Sequence, residues 1–210
     1  MSERLGRFAL IRADLHIHTL FSNDSSIHPK TLVQQLLAHP YINAVAITDH
    51  NTVKGYYKVR ELSSKYQDVT IIPGIEVSTV DGDLLLLGVA EVPPEPWTVE
   101  NVIDFTRSMG GIVVVAHPYR EFGLGDLAKD YKVDAIEVLN GGSAHQFNVL
   151  AEELAKEMGL PGVAGSDAHR ADELWSVYTE IKASTDLDEV LKAIKTGLVR
   201  VGQTEKSIRF

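Results

Sequence analysis

Short apolar runs alternate along the chain with longer stretches whose apolar residues return every three to four positions. Residues 9–18, Ala-Leu-Ile-Arg-Ala-Asp-Leu-His-Ile-His, form the first apolar run and predict a strand. Pro29 opens a helix over 30–39, with Leu32, Val33, Leu36 and Leu37 at helical spacing. A strand over 44–48, a helix over 51–66 and a strand over 69–75 follow. Asp81-Gly82 reads as a hairpin turn into 84–89, which predicts an antiparallel or edge excursion there. Thr98 caps a helix running to Met109, and a nearly wholly apolar strand covers 112–116. Beyond it the pattern predicts a brief helix over 124–129, a strand over 135–139 and a helix over 144–158 stopped by Gly159. Strands over 162–165 and 178–183 and a helix over 187–195, with Gly197 just past its end, complete the series. Alternation of this kind implies a mostly parallel sheet covered by helices, either a barrel or a doubly wound layer.

Composition narrows the possibilities. The 210 residues suffice for one sizeable core, and residues 1–210 are read as a single domain. No apolar run approaches the ~20 residues that span a bilayer, and Arg12 and Asp14 interrupt the only apolar stretch near the N-terminus, so neither a membrane span nor a signal peptide is expected. With no cysteine, disulfides and thiolate metal sites are excluded, and a cytoplasmic location is expected. A net charge of −9 argues against a sequence-independent grip on nucleic acid, which is expected as a substrate only, if at all. No Rossmann or P-loop glycine pattern is present.

The chemistry gathers where apolar runs end. His16 and His18 stand at i and i+2 of an extended strand, so both imidazoles converge on one point, as a metal ion requires. His50, Glu76, His117, Asn140, Asp167 and His169 likewise stand at or just beyond the carboxyl ends of predicted strands. In a β/α barrel that end carries the active site, and charged groups gather at buried strand ends only with a partner or a metal. Asp49 reads either as a carboxylate orienting a histidine or as a helix cap, the former slightly favoured. Glu137, inside a strand, could face helix or site. His28 and His39, each beside a proline, are expected at the surface.

The string Asp14-Leu15-His16-Ile17-His18-Thr19 with Ser22 and Asp24, then Thr48-Asp49-His50, Gly74-Ile75-Glu76, Ala116-His117-Pro118 and Ser166-Asp167-Ala168-His169, resembles the PHP (polymerase and histidinol phosphatase) domain. The resemblance extends from Ala13 to about Val201 and implies a distorted (β/α)7 TIM-like barrel, with its metal site at the C-terminal ends of the strands. It implies two or three divalent ions, Zn, Mn or Fe, in three overlapping sites. His16, His18, Glu76 and Asp167 would hold one, and Glu76 as a bridge with His117 and Asn140 a second. Asp24, His50 and His169 would hold the third. Many family members place a histidine where this chain offers Asn140, and some carry a large insertion that is missing between Val77 and Val115 here.

The expected activity is metal-dependent hydrolysis of a small phosphorylated metabolite or nucleotide, by attack of a metal-activated water. Asp24 and His169 are the candidates to protonate the leaving oxygen, and Lys54, Arg120 and Arg170 to hold the substrate phosphate. Two alternatives stand beside this reading. One is an exonuclease acting on single-stranded nucleic acid ends; the other is a noncatalytic PHP-like subunit of a larger assembly, against which the retained ligands count.

Overall fold

The first apolar run begins the sheet: β1 (Leu10–Asp14) buries Ile11 and Ala13 on one face and ends just before the two histidines. The structure, a computed structural model, describes residues 10–204, so Ala9 of the predicted strand lies outside the described residues. α1 (Pro29–Ala38) starts with proline at its first position, and His28 accepts a hydrogen bond from the Lys30 N–H. β2 (Ala44–Ile47), α2 (Lys54–Ser63) and β3 (Thr70–Ser78) continue the alternation. β4 (Asp83–Leu87), α3 (Val99–Ser108, capped by Thr98) and β5 (Ile112–Val115) follow. A 3-10 turn over Gly125–Asp130 precedes β6 (Ala135–Asn140), α4 (His145–Met158) and β7 (Gly162–Gly165). The chain ends in β8 (Val177–Lys182), α5 (Leu187–Lys195) and β9 (Val199–Gln203).

The strands form one sheet in the order β7-β6-β5-β4-β3-β2-β1-β8-β9. β1, β2 and β3 pair in parallel, as do β5, β6 and β7. β4 lies antiparallel between β3 and β5, so the expected excursion is an internal strand rather than an edge. Its four leucines are wholly buried because both faces are covered. The sheet curls until its ends nearly meet. Beyond β1 and β7 the chain pairs once more, with Ile17 bridging Ala168, His18 N–H donating to the Ala168 carbonyl at 3.1 Å and Asp167 N–H to the His16 carbonyl at 2.8 Å. Gly165 permits this seam: a β-carbon there would stand 2.3 Å from the His16 β-carbon. The result is a barrel-like α/β fold, but β4, β8 and β9 depart from a strictly parallel pattern. β8 runs antiparallel along β1 and carries β9, a strand the periodicity did not predict.

Alternation along each strand separates two environments. Ile11, Ala13, Ala44, Ala46, Leu85, Leu87 and Val114 share one cluster with Val190, Leu191 and Ile194 of α5. That helix therefore packs against the interior at the end where β5 begins, and Lys195 reaches Asp134 at 2.8 Å ahead of β6. The opposite faces, Val45 and Ile47 or Leu84, Leu86, Val113 and Val115, pack under the remaining helices. One barrel end is filled and the other, where the strands terminate, is left for polar side chains. α2 is shorter than the periodicity predicts because residues 50–53 serve that end instead. Asn51 takes a left-handed φ of 56°, and its side-chain oxygen accepts the Ser78 N–H at 3.0 Å.

Candidate metal centre

His16 and His18 are fully buried just past β1, their Nε2 atoms 3.0 Å apart. Glu76, two residues before the end of β3 rather than at its close, lies on the interior face. Its Oε2 is 3.3 Å from His16 Nε2 and 3.1 Å from His18 Nε2. Asp167 Oδ1 lies 3.4 and 3.2 Å from the same two nitrogens. Ligands about 2.0–2.1 Å from a common centre stand about 3.3–3.4 Å apart in a tetrahedron, and the five separations that involve a histidine nitrogen, 3.0–3.4 Å, are close to that. Glu76 Oε2 is buried without a hydrogen-bond partner among the described residues. A buried, unpartnered carboxylate oxygen ringed by ring nitrogens fits a divalent cation with nitrogen and oxygen ligands.

Two carboxylates stand behind the histidines. Glu137 Oε1 lies 3.0 Å from His16 Nδ1, and its Oε2 accepts the His117 N–H at 2.9 Å and the Asn140 amide at 3.0 Å. Asp49 works through Ser22. The Ser22 hydroxyl donates to Asp49 Oδ1 at 2.9 Å and stands 3.1 Å from His18 Nδ1. Asp49 is thus linked to His18 through Ser22 and does not cap α2, whose N-cap is Val53. Holding Nδ1 as a donor leaves Nε2 with its lone pair toward the cluster.

The other oxygen of Glu76 faces a second group. Oε1 lies 3.0 Å from His117 Nε2, and Asp83 Oδ2 is 4.0 Å from that nitrogen. His117 has a left-handed φ of 25°, which turns its ring back over the barrel mouth. Asp83 was not foreseen. It pairs with Ser78 across the β3–β4 hairpin and so shares the interior face with Glu76. Asn140, expected here, is engaged elsewhere: its Oδ1 accepts from Arg120, the Gly142 N–H and Ser143, and its amide nitrogen donates to Glu137 and Asp167. A kink in β6 between Glu137 and Leu139 carries it toward Asp167 instead.

A third group lies at the rim. Asp24 Oδ2 is 3.4 Å from His50 Nε2 and 3.3 Å from His169 Nε2. His50 Nδ1 stands 3.1 Å from Glu76 Oε2, and His169 Nδ1 donates to the Asp167 carbonyl at 2.9 Å. The rings of His18 and His169 stack at 4.2 Å. The sequence thus brought nine of its expected donors to one end of the barrel, eight of them in these groups and Asn140 beside them.

The cluster's electrostatics are those of anions packed among potential cations. Burial favours neutral Glu76, but the charge of His16, the contact from His117 and the nearness of the His16 and His18 rings hold it well below the ordinary carboxylate range. Asp167 is likewise lowered, the charge of His16 and the His18 hydrogen bond outweighing burial. Burial depresses His18, yet Asp167 and Glu76 bring it to about 9. His50, more exposed, is lowered by burial. Asp83 rises to about 6 through burial and the charge of Glu76.

Arg120 is the expected cation that reaches the site. Its Nη1 pairs with Asp167 and Asn140, while Nε and Nη2 donate to nothing among the described residues. It lines a cleft of about 420 Å³ with Asp24, His50, Glu76, Asp83 and His117. Lys54 is exposed at the first turn of α2 and does not line that cleft. Arg170 is held by Asp172 and Glu173. A larger open groove of about 870 Å³ beside His39, Tyr41 and Trp175 contains none of the donors. Among the described residues, no helix is long and apolar enough to cross a membrane.

Similarity to known proteins bears on the family and the fold. A segment of 142 residues is 32% identical to the uncharacterized protein MJ1587 of Methanocaldococcus jannaschii, covering 62% of this chain and 82% of that protein. A 68-residue segment is 40% identical to the 5'-3' exoribonuclease Rnm of Salmonella typhimurium, covering 32% of this chain and 22% of Rnm. The fold matches a two-domain protein of Bacteroides vulgatus, described as containing a predicted PHP-like metal-dependent phosphoesterase, with a TM-score of 0.77 at 16% identity. That match covers 93% of this chain and 65% of the two-domain protein. The PHP domain model matches residues 14–135 and the PHP-associated model residues 145–199. The chain belongs to the PHP domain family.

Proposed function

We propose that this chain is a metal-dependent phosphoesterase that hydrolyses a small phosphorylated metabolite or nucleotide. Glu76 carries the reading. Its two buried oxygens face separate donor groups, Oε2 toward His16 and His18 and Oε1 toward His117. A bridging carboxylate is what holds two dications ~3.5–4 Å apart. His16, His18, Glu76 and Asp167 would hold one ion. Glu76, His117 and Asp83 would hold a second, and Asp24, His50 and His169 a third. Zinc, manganese and iron all suit this donor set. Bound there, such ions supply Lewis acidity toward phosphoryl oxygens and bring the pKa of water toward neutrality.

The chain's own residues supply the rest. Arg120 lines the cleft with two of its donor nitrogens unengaged, and a guanidinium grips phosphate oxygens in pairs. The same residue is anchored on Asp167 and Asn140, so the grip is already oriented. Asp24 and His169 face one another at the rim, and where no third ion occupies that group they would pass a proton to a leaving oxygen. We read the segments matched by the two family models as one catalytic unit, since His16 from the first and Asp167 from the second share one donor group.

The test is hydrolysis of p-nitrophenyl phosphate and bis-p-nitrophenyl phosphate with Mn, Zn, Fe or chelator, by the wild type and Asp167→Ala, alongside elemental analysis. Metal-dependent turnover lost on substitution is expected. A chain that neither binds metal nor turns over either ester is no phosphoesterase, and the noncatalytic reading then takes its place. The local likeness to the exoribonuclease favours a second reading, hydrolysis at single-stranded RNA ends. A 5'-phosphorylated oligoribonucleotide in the same assay distinguishes it: stepwise shortening supports the exonuclease.

A further inference from the structure

The cleft beside the donor groups is walled mostly by charged and polar side chains, with one exception. Phe122 lines it next to Arg120 and is 71% exposed. Among the described residues it is the one exposed large apolar side chain in that wall. Its backbone takes a left-handed φ of 65°, unfavourable for an aromatic residue and held in place by the turns around it. Arg120 N–H donates to the His117 carbonyl at 2.9 Å and Gly123 N–H to the Arg120 carbonyl at 3.0 Å. The Phe122 carbonyl itself accepts the Asp83 N–H at 2.8 Å. Gly123 lets this loop fold tightly, since a β-carbon there would stand 2.3 Å from the Pro118 carbonyl oxygen.

The loop therefore fixes two groups two residues apart: a guanidinium for phosphate at Arg120 and an aromatic face toward solvent at Phe122. A ring kept out of the core on a strained, clamped backbone is pre-organised for a ligand's surface. We propose that Phe122 is a stacking platform for the base of a nucleotide substrate, so that the site prefers nucleoside phosphates to aliphatic ones. The inference rests on the phosphoesterase reading for the position of the phosphate. A base offers a flat, sequence-tolerant partner that an alkyl chain lacks, and such stacking contributes about ten- to hundredfold in affinity.

The test compares equilibrium binding of adenosine 5'-monophosphate and glycerol 1-phosphate to the full chain, with turnover followed separately. The wild type should bind the nucleotide at least tenfold more tightly. Phe122→Ala should remove that ratio while leaving the glycerol phosphate affinity unchanged, and Phe122→Trp should retain it. Equal binding of the two phosphates by the wild type, or a ratio that survives Phe122→Ala, overturns the proposal, as does failure to bind either. A preserved ratio without turnover counts against hydrolysis and leaves the platform standing. The side chain is exposed, so these variants are expected to fold, and unchanged glycerol phosphate binding verifies it.

Discussion

His16 and His18 point their Nε2 atoms at each other across 3.0 Å, while their Nδ1 atoms turn outward to Glu137 and Ser22. With both Nδ1 positions donating, two neutral rings would aim their lone pairs at one point, and only a proton or a cation between them relieves the repulsion. Protons and metal therefore compete for the same cavity, which makes stability depend on pH in a specific way. In the chelated chain His18 has its pKa raised from 6.5 to about 9. A raised value stabilises fully below the unfolded value and is lost as pH climbs through the folded one. The chelated protein should thus lose on the order of 3 kcal/mol between about pH 6.5 and 9. Thermal melts across that window check it, with a flatter profile when Mn or Zn is in excess. A chelated protein equally stable at pH 6.5 and 9 would refute the competition.

Glu137→Gln should weaken metal binding without unfolding the chain. The carboxylate orders His16 Nδ1, the His117 N–H and the Asn140 amide together, so one neutral amide cannot replace it for all three. Carboxylates behind metal-binding histidines contribute about 10–100-fold in affinity. Competition against a chromogenic chelator reads the loss directly, and an unchanged affinity would reduce Glu137 to a packing residue.

Asp83→Asn should lower the metal content per chain while sparing the ion at His16 and His18. Asp83 faces only the Glu76–His117 side of the cluster, and its charge is already disfavoured by burial and by Glu76. Elemental analysis after dialysis, set beside Asp167→Ala, separates the two positions. Identical metal loss in both variants would mean the groups do not bind independently.

Gly165→Ala should open the barrel seam. The added carbon would meet the His16 β-carbon at 2.3 Å and the His16 backbone nitrogen at 2.6 Å, neither of which moves without the strand. Overpacking of this kind destabilises by about 3 kcal/mol, which for a chain of this size lowers Tm by roughly 6–12 °C. Calorimetry measures it. An unshifted Tm would show that β1 and β7 can separate freely at that point.

The elements were legible because their signals are local. Period-two and period-3.6 patterns, Pro29 before α1 and Thr98 before α3 each act within a few residues. β9 escaped because Val199-Arg200-Val201 buries only partly, against β8, and leaves no apolar run. Glu137 stayed undecided and Asp83 was missed for another reason. Each is one acidic residue in an apolar strand, and only the register against a neighbouring strand shows which way it faces. For Asp83 that register was within reach, since the Asp81-Gly82 turn sets Ser78 opposite it.

The sequence by itself determined the alternation of elements, the family, and the donors at strand ends, because i and i+2 spacing and strand termini are properties of a short stretch of chain. Only the tertiary structure decided which donors share an ion-sized space. Asp167 meets His16 across a seam between residues distant in the chain, closed by Ile17 and Ala168. Asn140 is turned away by the kink in β6, while Asp83 is brought in by its antiparallel partner. Arg120 reaches the cleft and Arg170 is captured by Asp172 and Glu173, though both follow a histidine motif. Distances between side chains on different strands follow from strand order, register and closure, and these are set by packing of the whole barrel rather than by any stretch within it.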